Sequence, residues 1–241
     1  MDKKQTDLLK ENERIEDLQR GGLKIIRSKE GFTYGTDSVL LASFAKVRKG
    51  DRVCDLGAGN GILSFLLYAR YPNISNIDAV EIDEKASERM KRSVLLNGLE
   101  DKIHIYNEDL RCLSAAFEPA SYDIVICNPP YYAADEDTSK TQINADFFDV
   151  AASAKKLLRF RGKIVIMCKV PRMFQLSCAL QENRFAVSRI RFVKSKPDKS
   201  PYLIMMEAIL GAKSECKIEK TLVLTDENNK ETEELKKIYW Q

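Results

Sequence analysis

The residues best suited to chemistry follow one apolar run directly, where Asn128-Pro129-Pro130-Tyr131 comes after YDIVIC. Two consecutive prolines remove two amide donors and stiffen the backbone, so the carbonyls there are held in fixed directions. The amide oxygen of Asn128 and a rigid carbonyl could together accept both protons of a planar NH2 group. Tyr131 could stack on the ring that carries this group. Such an arrangement would aim the nitrogen lone pair at an electrophile.

A second group of residues, DLGAGNG, ends another apolar run and begins with Asp55. Glycines at a turn from strand to helix let a ligand approach the backbone, and helix N-terminal amides attract an anionic group. Gly57, Gly59 and Gly61 alternate here, whereas dinucleotide-binding turns have the spacing G-x-G-x-x-G. Asp55 would repel a pyrophosphate and suits a cationic ligand better, such as the ammonium group of a methionine moiety. A glycine turn without a ligand is the structural alternative.

Two further acids follow the next two apolar runs. Glu81 ends the run AVE, 26 residues after Asp55, where a carboxylate can accept hydrogen bonds from both hydroxyls of a ribose. Asp109 follows the third run, where it could accept a hydrogen bond from an adenine amino group beside Leu110. Either acid alone would be an ordinary solvated strand end. Three acids in order, one at each strand end, predict a nucleoside-binding crevice at the edge of a sheet.

Short runs rich in Val, Ile and Leu alternate with longer amphipathic stretches, which is typical of a parallel sheet covered by helices on both faces. We expect one α/β domain whose seven strands lie at 52–56, 77–81, 103–107, 122–127, 162–168, 186–192 and 202–209. Apolar residues at helical spacing predict helices at 37–44, 61–71, 84–97, 147–158 and 172–183. Residues 1–30 are expected to form an N-terminal extension with a highly charged first helix, ahead of a main domain at 31–241.

The overall composition sets aside several classes of protein. Of the 241 residues, 44% are hydrophobic and 31% are charged, unlike disordered, collagen-like or disulfide-stapled chains. No apolar run approaches the roughly 18 residues of a membrane span, and the N-terminus lacks a signal-peptide stretch, so we expect a cytoplasmic protein without membrane association. The six cysteines form no CxxC pair, and His104 is the single histidine. Metal sites and histidine-based catalytic triads are therefore not expected.

Charge is distributed unevenly along the chain. From Lys155 to Lys199 there are 13 Lys or Arg residues against two acids, although the net charge of the whole chain is only +3. A solvated surface balanced by acidic neighbours is one interpretation. The other is a face that binds a polyanion, because neutralising phosphates supplies much of the affinity for nucleic acids. The candidate RNA contacts are Arg184, Arg189, Arg191, Lys194, Lys196 and Lys199.

In this order and spacing, DLGAGNG, VEID, EDL and NPPYY resemble the class I S-adenosylmethionine-dependent methyltransferases with an N/D-P-P-Y/F motif, which methylate exocyclic or amide nitrogens. The flanking sequences narrow the resemblance to the bacterial tRNA1(Val) (adenine37-N6)-methyltransferases, over residues 11–240. These flanks are ERIEDLQRGGLKIIRSKEGFTYGTDSVLLASF, RIRFVKSK and LVLTDENNKETEELKKIYW. The segment between Tyr132 and Asp146 is shorter than the corresponding part of that family.

The resemblance implies a Rossmann-like fold with a seven-stranded, mostly parallel sheet of order 3-2-1-4-5-7-6, strand 7 antiparallel, and helices on both faces. It implies S-adenosyl-L-methionine as cofactor, S-adenosyl-L-homocysteine as its product, no metal, and a tRNA substrate. The catalytic residues that hold the target adenine would be Asn128, Pro129, Pro130 and Tyr131. The cofactor-binding residues would be Gly35, Thr36, Asp37, Asp55, Gly57, Gly59, Gly61, Glu81, Ile82, Asp109, Leu110 and Asn128.

Other functions stay open on the sequence alone. A protein-glutamine N5-methyltransferase would also present a planar NH2 group to the motif, although a protein substrate does not call for the basic segment. An rRNA base N-methyltransferase is a further alternative. Asn128 and Tyr131 argue against a non-catalytic module that only binds S-adenosylmethionine or RNA, and the glycine spacing argues against a dinucleotide oxidoreductase. No obligate protein partner is evident.

Overall fold

The apolar runs form strands of a large central sheet in the computed structural model, which describes residues 8–29, 36–129, 145–213 and 215–240. In those residues this sheet has nine strands, and a separate pair of strands, β1 and β2, forms an antiparallel hairpin. The strands are β1 (Glu13–Asp17), β2 (Lys24–Ser28), β3 (Arg52–Leu56), β4 (Asn76–Val80), β5 (Ile103–Tyr106), β6 (Tyr122–Cys127), β7 (Leu158–Lys169), β8 (Phe185–Lys194), β9 (Leu203–Leu210), β10 (Lys217–Ile218) and β11 (Leu222–Val223).

The order of strands across the sheet is β10-β8-β9-β7-β6-β3-β4-β5, and β11 also pairs with β8. Strands β3 to β7 are mutually parallel, whereas β9 is antiparallel to both β7 and β8. The predicted order 3-2-1-4-5-7-6, with strand 7 antiparallel, is therefore confirmed for the seven central strands. Strands β10 and β11 were not predicted, because two residues are too few to show an alternating pattern.

Helices cover both faces of this sheet. They are α1 (Thr36–Phe44), α2 (Ile62–Arg70), α3 (Glu84–Asn97), α4 (Phe147–Leu157), α5 (Met173–Glu182) and α6 (Glu233–Trp240). The five predicted helices are confirmed to within one residue at each end, and α6 was missed. Helices α1, α2, α3 and α6 bury residues in one apolar cluster, and α4 and α5 bury residues in the cluster on the other face.

Capping residues explain where two of these helices begin. The side chain of Asp83 accepts a hydrogen bond from the backbone N–H of Ala86 at the start of α3. Asp146 and Asp149 exchange side-chain and backbone hydrogen bonds in a capping box at the start of α4. Each cap satisfies backbone donors that have no partner within the helix.

The N-terminal hairpin replaces the charged helix that the sequence predicts for the first 30 residues, and this expectation is wrong for residues 13–28. Ile25 and Ile26 are fully buried, and the backbone N–H of Ile26 donates to Ser93 Oγ on α3 at 2.9 Å. Asn97, also on α3, both accepts from the N–H and donates to the carbonyl of Lys24. The alternating apolar residues of these two short strands therefore determine the local structure, although the segment is rich in charge. The domain division at residue 30 stays a prediction.

A buried carboxylate, Asp78, joins four parallel strands. Its side chain accepts hydrogen bonds from Arg52 Nη2 at 3.0 Å and from the Tyr122 hydroxyl at 2.6 Å, and His104 Nδ1 lies 2.8 Å from Oδ1. These partners come from β3, β6 and β5, while Asp78 itself lies on β4. Burial and the hydrogen bond to Asp78 raise the pKa of Tyr122 well above its ordinary value, so the phenol stays a donor. The single histidine therefore has a structural partner.

Asp78→Ala should destabilise the fold strongly, because Arg52 and the Tyr122 hydroxyl would lose their buried partner. Breaking a buried charge pair costs about 3–5 kcal/mol, and urea denaturation should show a loss of this size in the free energy of unfolding. Asp101→Ala is the matched control, since Asp101 is exposed and such substitutions stay within about 0.5 kcal/mol. Equal stability of the two variants would show that the network contributes nothing.

Candidate functional site

The carboxyl ends of β3, β4, β5 and β6 meet at one edge of the sheet because these strands are parallel, and we call this the carboxyl edge. An open cleft lies there. Six of the predicted site residues line it: Gly57, Glu81, Ile82, Asp109, Leu110 and Pro129. The structure therefore brings together residues from four separate strand ends.

The three glycines after β3 all have positive φ, at 74° for Gly57, 58° for Gly59 and 80° for Gly61. A Cβ atom at Gly57 or Gly59 would meet no atom within 4 Å, whereas a Cβ at Gly61 would lie 2.5 Å from the Met90 side chain. Gly61 is thus required for packing of α2 against α3. Gly57 and Gly59 leave open space in front of the backbone, which is what close approach of a ligand requires.

Glu81 ties the glycine turn to the end of β4. Its Oε2 accepts a hydrogen bond from Gly59 N at 2.7 Å, and its Oε1 accepts one from Asp83 N at 2.8 Å. An ionised carboxylate has about four acceptor positions, so these two bonds orient the group and leave it able to accept hydroxyl donors from the cleft. Sequence reasoning assigned Glu81 to a ligand and missed this bracing of the turn.

Asp55 lies behind the turn rather than in the lining of the cleft. Only 1% of it is exposed, and its Oδ2 accepts a hydrogen bond from Ser64 Oγ at 2.6 Å. Burial raises the pKa of Asp55 to about 7, the Ser64 hydrogen bond opposes this rise, and the charge of Glu81 adds to it. Two carboxyl groups with different environments therefore flank one turn.

Asp109 begins the short 3₁₀ helix at Leu110–Cys112 and caps it by accepting from Arg111 N at 2.9 Å. The Arg111 guanidinium also pairs with this carboxylate and lowers the pKa of Asp109, so it stays ionised. Asn107 donates from Nδ2 to the carbonyls of Glu81 and Ile82 at 2.8 and 3.0 Å. It joins the ends of β4 and β5, a role that its sequence position after a strand did not reveal.

The start of α1 lies beside the end of β6. Asn128 Nδ2 donates to Ser38 Oγ at 3.2 Å. Thr36 Oγ1 accepts from the hydroxyl of Tyr239 on α6 at 3.1 Å. Ser38 was missed by sequence reasoning. Neither Thr36 nor Asp37 lines the cleft, and Gly35, Pro130 and Tyr131 lie outside the described residues.

The structure separates the six candidate RNA contacts. Lys194, at the end of β8, and Lys196 and Lys199, which follow it, lie at the carboxyl edge. Lys194 Nζ donates to the Pro197 carbonyl at 3.1 Å, and Lys199 lies 3.5 Å from an Asp198 carboxylate oxygen. Arg184 precedes β8 and so lies at the opposite end of that strand, which we call the amino edge.

Arg189 and Arg191 are held inside the protein's own networks. Arg189 is 5% exposed, donates to Glu207 Oε2 at 2.9 Å and to the Phe44 carbonyl at 2.7 Å, and stacks on the Phe44 ring. This burial corrects the prediction for Arg189, because a phosphate cannot reach it. Arg191 pairs with Glu234 on α6 and donates to the Lys220 carbonyl. The alternating pattern of β8 does not reveal which of its arginines point inward.

In the described ranges, no cluster of three His, Cys, Asp or Glu side chains is arranged to hold a metal ion. No helix in the same part of the chain is long and apolar enough to cross a membrane.

Comparison with known proteins agrees with this geometry. A family model described as "Methyltransferase small domain" matches residues 25–191. The chain is 29% identical over 203 residues to the tRNA1(Val) (adenine(37)-N6)-methyltransferase of Tolumonas auensis, covering 81% of this chain and 83% of that protein. It is 27% identical over 230 residues to the protein of the same name from Pectobacterium carotovorum, covering 86% and 91%.

Solved structures share the fold. A predicted O-methyltransferase from Agrobacterium tumefaciens superposes with a TM-score of 0.71 at 20% identity, covering 84% of this chain and 94% of that one. TrmN from Thermus thermophilus gives a TM-score of 0.55 at 23% identity, covering 72% and 48%. The class I methyltransferase fold that the sequence predicts is confirmed.

The raised pKa of Asp55 makes a prediction for stability. In the unfolded chain this carboxyl ionises near its ordinary pKa of about 4. Its contribution to stability is therefore fully present below about pH 4 and is lost as the pH rises to about 7, because the folded state holds the proton longer. We expect the free energy of unfolding of the wild type to fall between pH 4.5 and pH 7.5 relative to Asp55→Asn, in urea denaturation at both values. Parallel pH profiles would contradict the raised pKa.

Proposed function

This chain belongs to the methyltransferase small domain family, and we propose that it transfers the methyl group of S-adenosyl-L-methionine to the N6 amino group of an adenine in tRNA. The observation that carries the proposal is the position of Asn128 and Pro129. Both follow β6 at the edge where Glu81 and Asp109 border the cleft, and Pro129 itself lines it. This position supports a site for a planar NH2 group beside a site for a nucleoside. The names of its relatives agree with that pairing.

The residues of the cleft fit S-adenosyl-L-methionine. The open space in front of Gly57 and Gly59 admits a ligand against the backbone. Glu81 would accept hydrogen bonds from the ribose hydroxyls, and the ionised Asp109 would accept one from the adenine amino group. Ile82 is 39% exposed at the cleft and supplies an apolar contact. The cofactor supplies a methyl sulfonium, an electrophile that needs no metal, and S-adenosyl-L-homocysteine is its product.

Asn128 would position the target amino group. Its amide oxygen accepts one proton of the NH2 group, and Ser38 fixes the amide by accepting from Nδ2. A bond forms between the target nitrogen and the methyl carbon as the carbon–sulfur bond breaks. The extra proton on nitrogen then leaves to solvent, so no general base is required. A reaction that needs no general base is consistent with a chain whose one histidine contacts Asp78.

An RNA substrate accounts for the charge at the carboxyl edge better than a protein does. Lys194, Lys196 and Lys199 follow one another there, and relatives over most of the chain are named for a tRNA adenine. A glutamine side chain would place a similar NH2 group at Asn128, so protein-glutamine methylation is the alternative to be tested. A tRNA substrate would locate the activity in the cytoplasm.

The direct test is to incubate the protein with S-adenosyl-L-methionine carrying a labelled methyl group and with unmodified bulk tRNA. Nucleosides from the digested tRNA are then analysed by mass spectrometry. We expect label in N6-methyladenosine. Label in another nucleoside would show that adenine is not the target base. Label only in glutamine of an added protein mixture would overturn the proposal in favour of protein-glutamine methylation.

Asn128→Ala should abolish methyl transfer and leave the affinity for S-adenosyl-L-methionine within a few-fold of wild type, because the amide contacts the target amino group. Calorimetry measures the affinity and the labelled-tRNA assay measures the transfer. Asn97→Ala, which breaks the contact between α3 and Lys24, is the control for loss of an asparagine elsewhere and should keep its activity. A tenfold weaker affinity for S-adenosyl-L-methionine in Asn128→Ala would show that Asn128 contributes to cofactor binding.

Glu81→Ala should weaken S-adenosyl-L-methionine binding by an order of magnitude or more. Hydrogen bonds to a charged group contribute about 1.5–3 kcal/mol each, and the variant also loses the brace on Gly59. Glu84→Ala removes an exposed carboxylate three residues away and should bind as the wild type does. Calorimetry on both variants decides the role, and wild-type affinity in Glu81→Ala would remove Glu81 from the site.

A further inference from the structure

The carboxyl edge continues beyond the cleft onto three more strands. The backbone N–H of Val170, after β7, donates to the Tyr202 carbonyl at 3.0 Å, and Tyr202 N donates to the Val193 carbonyl at 3.0 Å. Because β6 pairs with β7, the order along this edge is Asn128, Lys169, Tyr202 and Lys194. A path of neighbouring backbone positions therefore leads from the proposed target site to the lysines after β8.

Two aromatic side chains on this path are exposed. Phe174, in the first turn of α5, is 72% exposed, and Tyr202 is 39% exposed. Exposed apolar side chains that are grouped on one part of the surface, rather than scattered singly, are typical of a contact surface. Ile82 is the third exposed large apolar residue at the same edge.

Cationic side chains accompany the two rings. The guanidinium of Arg172 lies 4.3 Å from the centre of the Phe147 ring and donates to Gln175 Oε1 at 3.1 Å, so it is held in one place at the start of α5. Lys169 is exposed at the end of β7. Among the described residues, the acids nearby include Asp37, which faces Tyr202, Asp198, which pairs with Lys199, and Asp146, which directly precedes Phe147.

We propose that this surface binds the single-stranded nucleotides next to the target adenine, with bases stacked on the rings and phosphates on the cations. We call it the edge strip, and it consists of Lys169, Arg172, Phe174, Lys194, Lys196 and Tyr202. The proposal rests on the function proposed above and extends it from the target base to its neighbours.

The chemistry of the edge strip fits an unpaired RNA strand. A base inside a helix cannot offer its N6 amino group to Asn128, so the target must be unstacked and its neighbours must be held by other contacts. Exposed rings interleaved with lysine and arginine are the usual platform for unpaired strands. Burial and the charge of Asp37 raise the pKa of Tyr202 to about 12, so its ring stays neutral beside phosphates.

The amino edge supplies matched controls. Phe160 is also 72% exposed, and it lies against Gly211 after β9, at the opposite end of the sheet. Lys155 and Lys156, at the end of α4, form an exposed lysine pair near the same end. Phe160→Ala therefore matches Phe174→Ala in exposure. The Lys155→Ala/Lys156→Ala double variant matches Lys194→Ala/Lys196→Ala in charge.

The test measures binding of unmodified tRNA, as a function of salt, together with methyl transfer. Phe174→Ala should raise the Kd for tRNA roughly 5- to 140-fold, the range expected from loss of one stacked base. Phe174→Trp should restore binding, and Phe160→Ala should bind as wild type. Lys194→Ala/Lys196→Ala should lower the slope of log affinity against log salt by about 1.4 to 1.8. The control pair should leave this slope unchanged.

The outcomes separate this inference from the proposed function. If the wild type methylates adenine in tRNA and Phe174→Ala binds tRNA as well as Phe160→Ala does, the edge strip is overturned and the proposed function stands. If both lysine pairs change the salt slope equally, the phosphate contacts are spread over the surface and the edge strip is again overturned. If the wild type transfers no label to tRNA but does transfer label to protein glutamine, the proposed function is overturned, and the edge strip, which rests on it, is overturned with it.

Discussion

Parallel alignment of β3, β4, β5 and β6 is the constraint on which the site depends. Side chains that are far apart in the chain become neighbours only because these four strands end at one edge. Asp78 secures the alignment from within the sheet, since its carboxylate takes partners from the three other strands. At the carboxyl edge, hydrogen bonds of Glu81 and Asn107 connect the ends of neighbouring strands in the same way. Polar groups thus fix the register that apolar packing alone leaves less specific.

Much of the fold could be predicted from the sequence, because its elements are long and regular. The Val- and Ile-rich runs gave the seven central strands, and apolar spacing gave five helices. The hairpin at β1 and β2 was mistaken for a helix because its charged residues hide two short alternating strands, whose buried face becomes apparent only against α3. Helix α6 was missed because its eight residues are too few to repeat the helical spacing of apolar positions, although Leu235 and Ile238 are buried.

The candidate site was predicted less completely, for a different reason. Glycine spacing and strand-end acids identify positions at an edge, and three of these residues, Gly57, Glu81 and Asp109, line the cleft. They do not reveal which way a side chain points. Asp55 turns inward to Ser64, and Gly61 is needed by Met90. Basic residues that are close together in the sequence lie in three different places in the structure: the carboxyl edge, the amino edge and the interior. Arg189 is the buried example, because it pairs with Glu207.

The two carboxyl groups at the glycine turn show how burial assigns different tasks to similar residues. Glu81 faces the cleft with backbone donors on both oxygens, which hold its carboxylate in one orientation. Asp55 is enclosed behind the same turn, where burial, together with the charge of Glu81, raises its pKa to about 7 against the opposing hydrogen bond from Ser64. A cationic group bound in front of the turn would favour ionisation of Asp55, because an opposite charge lowers the pKa of a carboxyl.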